Sequence, residues 1–392
     1  MDNKRVVLVD FDLISGAGLD KNSFAENILK KNNYSSKIDF IEDSNDRGFI
    51  LKDLDFSDIL GKTGLKHINR NAKLAFVSIE RMLLKYFENL SDEDKPSIIL
   101  GSSFGTLDSI ASFWETYLSE GFGGIRPLDF PNTTINSSGS FINIRYQLMN
   151  GSITINNGFN SSNDAFIYSY DFIQNGYSDF ALVGGSEEFE KYLYLGLKKS
   201  LYLSKNSDYN IFSKNSDGIF PGEGSAFFIL KELNRAIKDN DRIICELVGF
   251  SKSFSKDVKD VISKLKCYEE AVNMAKINYK DIKFVSSGAN GFDFLDRIYI
   301  DIYKKLFDDD ILVAFHKQFF GEMYGASGAM QLAATLSNIH SKRKSPILNS
   351  ELLLENLHFF SNETIDGINY FAIDNFSIDG NNSVLIFKMW SY

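Results

Sequence analysis

Short apolar runs that end on glycine, set between stretches of helical periodicity, constrain this chain more than any other feature. Ser97–Leu100 reads as a buried strand running into Gly101-Ser102-Ser103, and Phe180–Val183 as another before Gly184-Gly185. Leu74, Val77, Ile79, Met82, Leu83 and Phe87 give residues 74–92 a helical period, and residues 107–118 and 163–175 also read as helices. Apolar runs of strand length are buried on both faces, which happens where helices cover a sheet. Strand, helix, strand in this rhythm predicts a mostly parallel α/β sheet. Val6–Val9 opens the chain as a strand, Asp10–Gly18 follows as a loop, and Ser152–Asn156 alternates as a strand.

The rhythm returns in the second half. Ile243–Phe250, Ile282–Ser286, Ile311–Phe315, Phe371–Ile373 and Ser383–Phe387 read as strands. Val258–Ile277, Asp293–Leu306 and Tyr324–Ser337 read as helices. The expected division is into two similar halves, 1–242 and 243–392, and a chain of 392 residues is long enough for one large duplicated core.

Charge and composition exclude several classes. A net charge of -10 argues against nucleic acid, whose phosphates need a basic footprint. No apolar run approaches the ~20 residues of a membrane span. Met1-Asp-Asn-Lys-Arg is charged and then strand-like, without the apolar core of a signal peptide. Two cysteines, Cys245 and Cys267, offer no disulfide framework and fit a reducing compartment. The expectation is a cytoplasmic protein with no metal, because His67, His316, His340 and His358 are scattered.

Several segments together resemble the β-ketoacyl synthases. Residues 5–18 are similar to that family's first strand and turn, and Phe130-Pro131-Asn132-Thr133 to its Phe-Pro-Asn-Thr. Asp217-Gly218 with Gly222-Glu223-Gly224 is similar to its Asp-Gly…Gly-Glu-Gly element, and residues 242–250 to the strand that opens its C-terminal half. Lys317, Gly321 and Gly325-Ala326-Ser327-Gly328 match the element that carries Lys and a His, and Thr154–Ala165 matches the nucleophile segment. The resemblance implies a thiolase-like α/β fold, duplicated, in five α-β-α-β-α layers.

It also implies which chemistry is missing. Condensation uses a thiolate to hold the acyl chain and two His donors for the oxygens that gain charge. Phe159 stands at the nucleophile position, Ser287 at the first His and Glu322 at the second, leaving Lys317 alone. The frame without its chemistry resembles the chain length factor, the β-subunit of type II polyketide ketosynthases. Phe294-Leu295-Asp296-Arg297 is also similar to those factors. Many of them carry Gln at the lost-Cys position, tied to decarboxylation, and Phe159 departs from that. In residues 376–382 Ile378 falls at the family's gating Phe.

By that resemblance the chain is no enzyme alone. It pairs with a ketosynthase α-subunit, and acyl carrier protein docks mainly through that partner. The phosphopantetheine arm of the carrier holds the substrate, so the chain itself needs no cofactor. The product is an aromatic polyketide or an aryl-polyene-type chain. An unorthodox active synthase and a homodimeric acyl-sensing module are the alternatives. In chain length factors the helix corresponding to Thr106–Tyr117 limits the tunnel, which makes Leu107, Ile110 and Trp114 candidates, with Phe104 and Thr133 beside them. The plainer reading of that apolar face is an ordinary core helix. Phe159 is a core plug or a tunnel wall, and Glu322 an ion-pair partner for Lys317. Glu223 is structural, His316 is no catalytic base, and both cysteines are inert buried thiols.

Overall fold

The computed structural model describes residues 4–42, 44–86, 90, 95–308, 311–348, 352–353 and 365–391. The first half contains β1 (Val6–Ser15), α1 (Lys21–Asn27), β2 (Ser36–Lys37), β3 (Arg47–Gly48), α2 (Phe56–Leu60) and α3 (Arg70–Tyr86). It continues with β4 (Ser97–Gly101), α4 (Leu107–Glu120), α5 (Ser137–Tyr146), β5 (Ser152–Ile155), α6 (Ser161–Gln174) and β6 (Phe180–Glu187). Then come α7 (Lys191–Lys199), β7 (Gly224–Glu232), α8 (Leu233–Lys238), β8 (Cys245–Phe254), α9 (Val261–Ala275) and β9 (Ile282–Ser286). The chain closes with α10 (Asp293–Leu306), β10 (Leu312–Ala314), α11 (Lys317–Phe320), α12 (Ser327–Ser341), β11 (Tyr370–Phe376) and β12 (Asn381–Met389). Helix α3 ends at Tyr86; Phe87 and residues 91–92 of the periodic stretch, like His358, lie outside the described residues.

Ten strands hydrogen-bond in the order β10-β9-β11-β12-β8-β1-β7-β6-β4-β5. Each run of five repeats one pattern. β7 is antiparallel to β1 and β6, as β12 is to β8 and β11. β4 is parallel to β5 and β6, as β9 is to β10 and β11. The runs meet where Val7 and Leu8 pair with Glu246 and Cys245. The sheet is therefore mixed, with five antiparallel pairings against four parallel, and the expectation of a mostly parallel sheet is corrected. Apolar periodicity reports burial on both faces and carries no strand direction.

Helix α3 packs on the outside of β1, β6 and β7, and α9 on the outside of β8 and β12. Helices α6 and α12 pack on each other between the two runs of strands. The rows of β1 explain why it is apolar throughout: Val6 and Leu8 join the core around α6 and α12, while Val7 and Val9 join the core under α3. On α6, Phe166 touches both halves, with ring centroids 5.2 Å from Phe228 and 6.3 Å from Phe387. Glycine at the end of β4 has a steric reason. A Cβ on Gly101 would lie 2.4 Å from the Ser162 nitrogen, so the start of α6 approaches this strand only over a bare backbone.

Candidate active site

The starts of α6 and α12 converge on the ends of β4, β6 and β9, and the residues of interest collect there. Position 159 precedes α6, with Asn160 at the helix cap. Phe159 is buried and its ring stands edge-on to Tyr324, centroids 5.3 Å apart. Tyr324 in turn meets Phe104 edge-on at 5.1 Å. Three aromatic rings thus fill the space in front of α6, a close-packed arrangement that leaves position 159 hydrophobic.

Glu322 and Lys317 are both wholly buried and 2.8 Å apart. The Glu322 carboxylate also accepts from Asn290 Nδ2 at 2.8 Å, the Tyr324 N–H at 2.9 Å and Ser327 Oγ at 2.5 Å. The Lys317 ammonium also donates to the Gly288 carbonyl at 2.8 Å. A buried charge pair persists only with further hydrogen bonds around it, and here the carboxylate accepts from four donors and the ammonium donates to two oxygens. Ser287 is turned elsewhere: its hydroxyl accepts from Tyr303 at 2.7 Å. Gly288 and Asn290, not Ser287, carry this loop to the Lys317–Glu322 pair.

A second carboxylate fixes the frame. Glu187, at the end of β6, accepts from the Ser103, Phe104 and Gly105 nitrogens at 2.7, 2.9 and 2.9 Å and from Gly325 at 3.2 Å. It ties the approach to α4 to the approach to α12. Sequence reasoning missed Glu187 and Tyr324, since no chemistry-bearing spacing marks them.

The hairpin between β11 and β12 closes the site. Ile378 is half-buried, and the contact with the backbone at position 159 comes from its neighbour: Phe159 N–H donates to Asp379 Oδ2 at 3.2 Å. Asn375 donates to the Phe159 carbonyl at 2.7 Å.

Helix α4 overturns the core-helix reading, because none of its residues is buried. Leu107 and Ile110 are half-buried and Trp114 is 55% exposed. Thr133 is half-buried, its hydroxyl bonded to the Phe130 carbonyl at 2.8 Å. Leu118, Phe122, Leu128 and Phe130 continue an exposed apolar row along the chain. Among the described residues, strand β5 lies at one edge of the sheet, paired only with β4.

The remaining candidates are structural. His316 is buried between Ser286 and Asn338, and burial pushes its pKa down to about 4. Burial pushes the Cys267 thiol up to about 12 and Cys245 up as well. Glu223 pairs with Arg70 at 2.7 Å. Among the described residues no His/Cys/Asp/Glu group could hold a metal, and no helix is long and apolar enough to cross a membrane.

Burial raises several carboxyls: Glu187, Glu190 and Asp296 to about 7 and Asp374 to about 6. A carboxyl with a raised folded pKa binds its proton more tightly folded than unfolded. Its contribution favours folding at low pH and fades as pH rises from the unfolded value, about 4, to the folded one. His316, with its depressed pKa, works oppositely between about 4 and 6.5, one group against these four and Glu188, which burial also raises well above its ordinary value. Thermal unfolding is expected to show a lower Tm at pH 8 than at pH 5.5. A Tm that climbs across this window would contradict the assignment.

The β-ketoacyl synthase N-terminal domain model matches residues 3–236, and the C-terminal domain model residues 251–351. A 3-oxoacyl-[acyl-carrier-protein] synthase homolog of Saccharomyces cerevisiae is 24% identical, over 77% of this chain and 73% of its own length. Among solved structures, a β-ketoacyl synthase from Burkholderia phymatum superposes with a TM-score of 0.90 at 20% identity, over 99% of this chain and 100% of that one. The ishigamide ketosynthase/chain length factor gives 0.88 at 20% identity, over 99% and 100%. These likenesses fix the fold as thiolase-like.

Proposed function

The chain belongs to the β-ketoacyl synthase family, and from that premise we propose that it is a chain length factor. In this reading it condenses nothing itself, pairs with a ketosynthase and shapes the tunnel in which a polyketide, aromatic or of aryl-polyene type, grows. One observation carries the reading. Where condensation needs a free nucleophile and free donors, this chain has Phe159 and a buried Lys317–Glu322 pair that satisfy one another. The unburied helix α4, the exposed apolar row after it and the edge strand β5 support a large partner interface, since exposed apolar surface of this extent marks interaction sites. The likeness to the ishigamide ketosynthase/chain length factor supports it as well. The partner would supply Cys and His and receive the acyl carrier protein.

The second reading, an active synthase with unorthodox residues, is favoured by the yeast relative, itself named a synthase homolog. Co-expression with a ketosynthase that carries Cys and both His separates the two. The paired reading expects a 1:1 complex and a chain that aggregates alone, because obligate interfaces bury over ~2,000 Å². Within the complex, Ile110→Ala is expected to lengthen the product by whole two-carbon units. Such a truncation at a half-buried site enlarges a tunnel floor without dismantling a core. A stable monomer with no affinity for the synthase would sink the proposal. An assembled Ile110→Ala complex with unchanged product length would remove α4 from length control.

A further inference from the structure

The hairpin between β11 and β12 does more than cover position 159. A nucleophile there would need a hydrogen-bond donor beside it for the oxygen that gains charge, and its own backbone N–H is at hand. In this chain that N–H is taken, because Asp379 Oδ2 accepts from it at 3.2 Å. Gly158, at φ +55°, leaves the room: a Cβ built there would lie 1.7 Å from the same carboxylate oxygen. The carboxylate is held from the other side by the Asn381 N–H, 2.9 Å from Oδ1.

Further ties fix the hairpin to the turn. Asn375 Nδ2 donates to the Phe159 carbonyl at 2.7 Å, and Asn160 Nδ2 donates to the Asn381 carbonyl at 2.9 Å. Ser383 bonds Asn160 Oδ1. With Phe159 N–H to Asp379, four hydrogen bonds join residues 159–160 to residues 375–383. Asp379 itself is exposed, so no apolar burial forces it into place.

We propose that Asp379 is a blocking residue: its carboxylate is the standing occupant of the donor that an oxyanion at position 159 would require, and it latches the hairpin shut. The chain thereby carries a device of its own against acyl chemistry, separate from the loss of the nucleophile. This deepens the non-catalytic reading of the same site but does not depend on a partner.

The block is electrostatic, and its test has to see charge. In F159C the introduced thiolate displaces iodide from iodoacetate, which is anionic, or from iodoacetamide, which is neutral. Peptide mapping isolates the reaction at position 159. Asp379→Asn, added to F159C, is expected to raise the iodoacetate-to-iodoacetamide rate ratio about tenfold, because a nearby fixed anion repels only the charged reagent. A change that merely loosened the hairpin would accelerate both reagents alike, and an unchanged ratio overturns the proposal. Asp379→Ala in the otherwise native chain gives a second measurement that needs no new thiol. Amide exchange of residues 157–160 and 376–382 is expected to quicken about tenfold or more. Unchanged exchange would overturn the latch even where F159C fails to fold. Neither measurement uses turnover or a second subunit, so its failure leaves the pairing question where it stood.

Discussion

Glu322→Ala is expected to destabilise this protein by about 3–5 kcal/mol, a large share of the ~5–15 kcal/mol that holds a typical fold together. The Lys317 ammonium is wholly buried and has two partners, the Glu322 carboxylate and the Gly288 carbonyl, each at 2.8 Å. Without the carboxylate, a cation stays in the interior with one neutral acceptor. Removing one member of a buried pair costs far more than removing both, so Lys317→Met/Glu322→Leu is expected to recover most of the loss. Urea unfolding of the wild type, the single variant and the double variant measures this directly. A single-variant loss below about 1 kcal/mol would show that the pair holds nothing in place.

The second large effect is an absence that survives repair. Supplied with acyl and malonyl carrier proteins, the isolated chain is expected to give no condensation product above a heat-killed control, and F159C is expected to leave that result unchanged. A thiol at position 159 would find an N–H already engaged by Asp379 and, at position 322, a carboxylate where a donor is needed. Loss of one oxyanion donor costs about 10²–10³ in rate, and here every such donor is missing or occupied. Product formation by F159C alone would mean that the site needs only a nucleophile and would revive the unorthodox synthase.

Much of the architecture was legible from apolar periodicity. β9 and α10 fall on their sequence boundaries; β1 does not, because Asp10–Ser15, read as part of a loop, continue the strand to Ser15 and pair with β7. Strand β7 escaped because its apolar run, Phe227–Leu230, follows straight on Gly222-Glu223-Gly224 and reads as part of a glycine motif. Strand direction escaped because burial does not encode it. At the site, the Lys317–Glu322 contact was legible because five residues across a short helix and turn bring two side chains together. Asp379 was not, since it lies 220 residues from Phe159 and only the folded hairpin joins them. Helix α4 misled for a related reason: amphipathic spacing marks an apolar face, but that face is only partly covered within the described residues, with none of its side chains fully buried.

The place of β1 near the middle of the ten-stranded sheet sets the order in which the protein can be made. Val6 pairs with Glu232 and Ser15 with Gly224 on one side, while Leu8 pairs with Cys245 on the other. When β1 leaves the ribosome it therefore has no sheet to join until more than two hundred further residues exist. At ~5–20 residues per second that is a wait of roughly 10–45 s. Throughout it Val6–Val9, apolar on both faces, has no native neighbour along either edge. Synthesis thus leaves this apolar strand exposed for a set time, and slowing translation between β1 and β7 would lengthen that exposure.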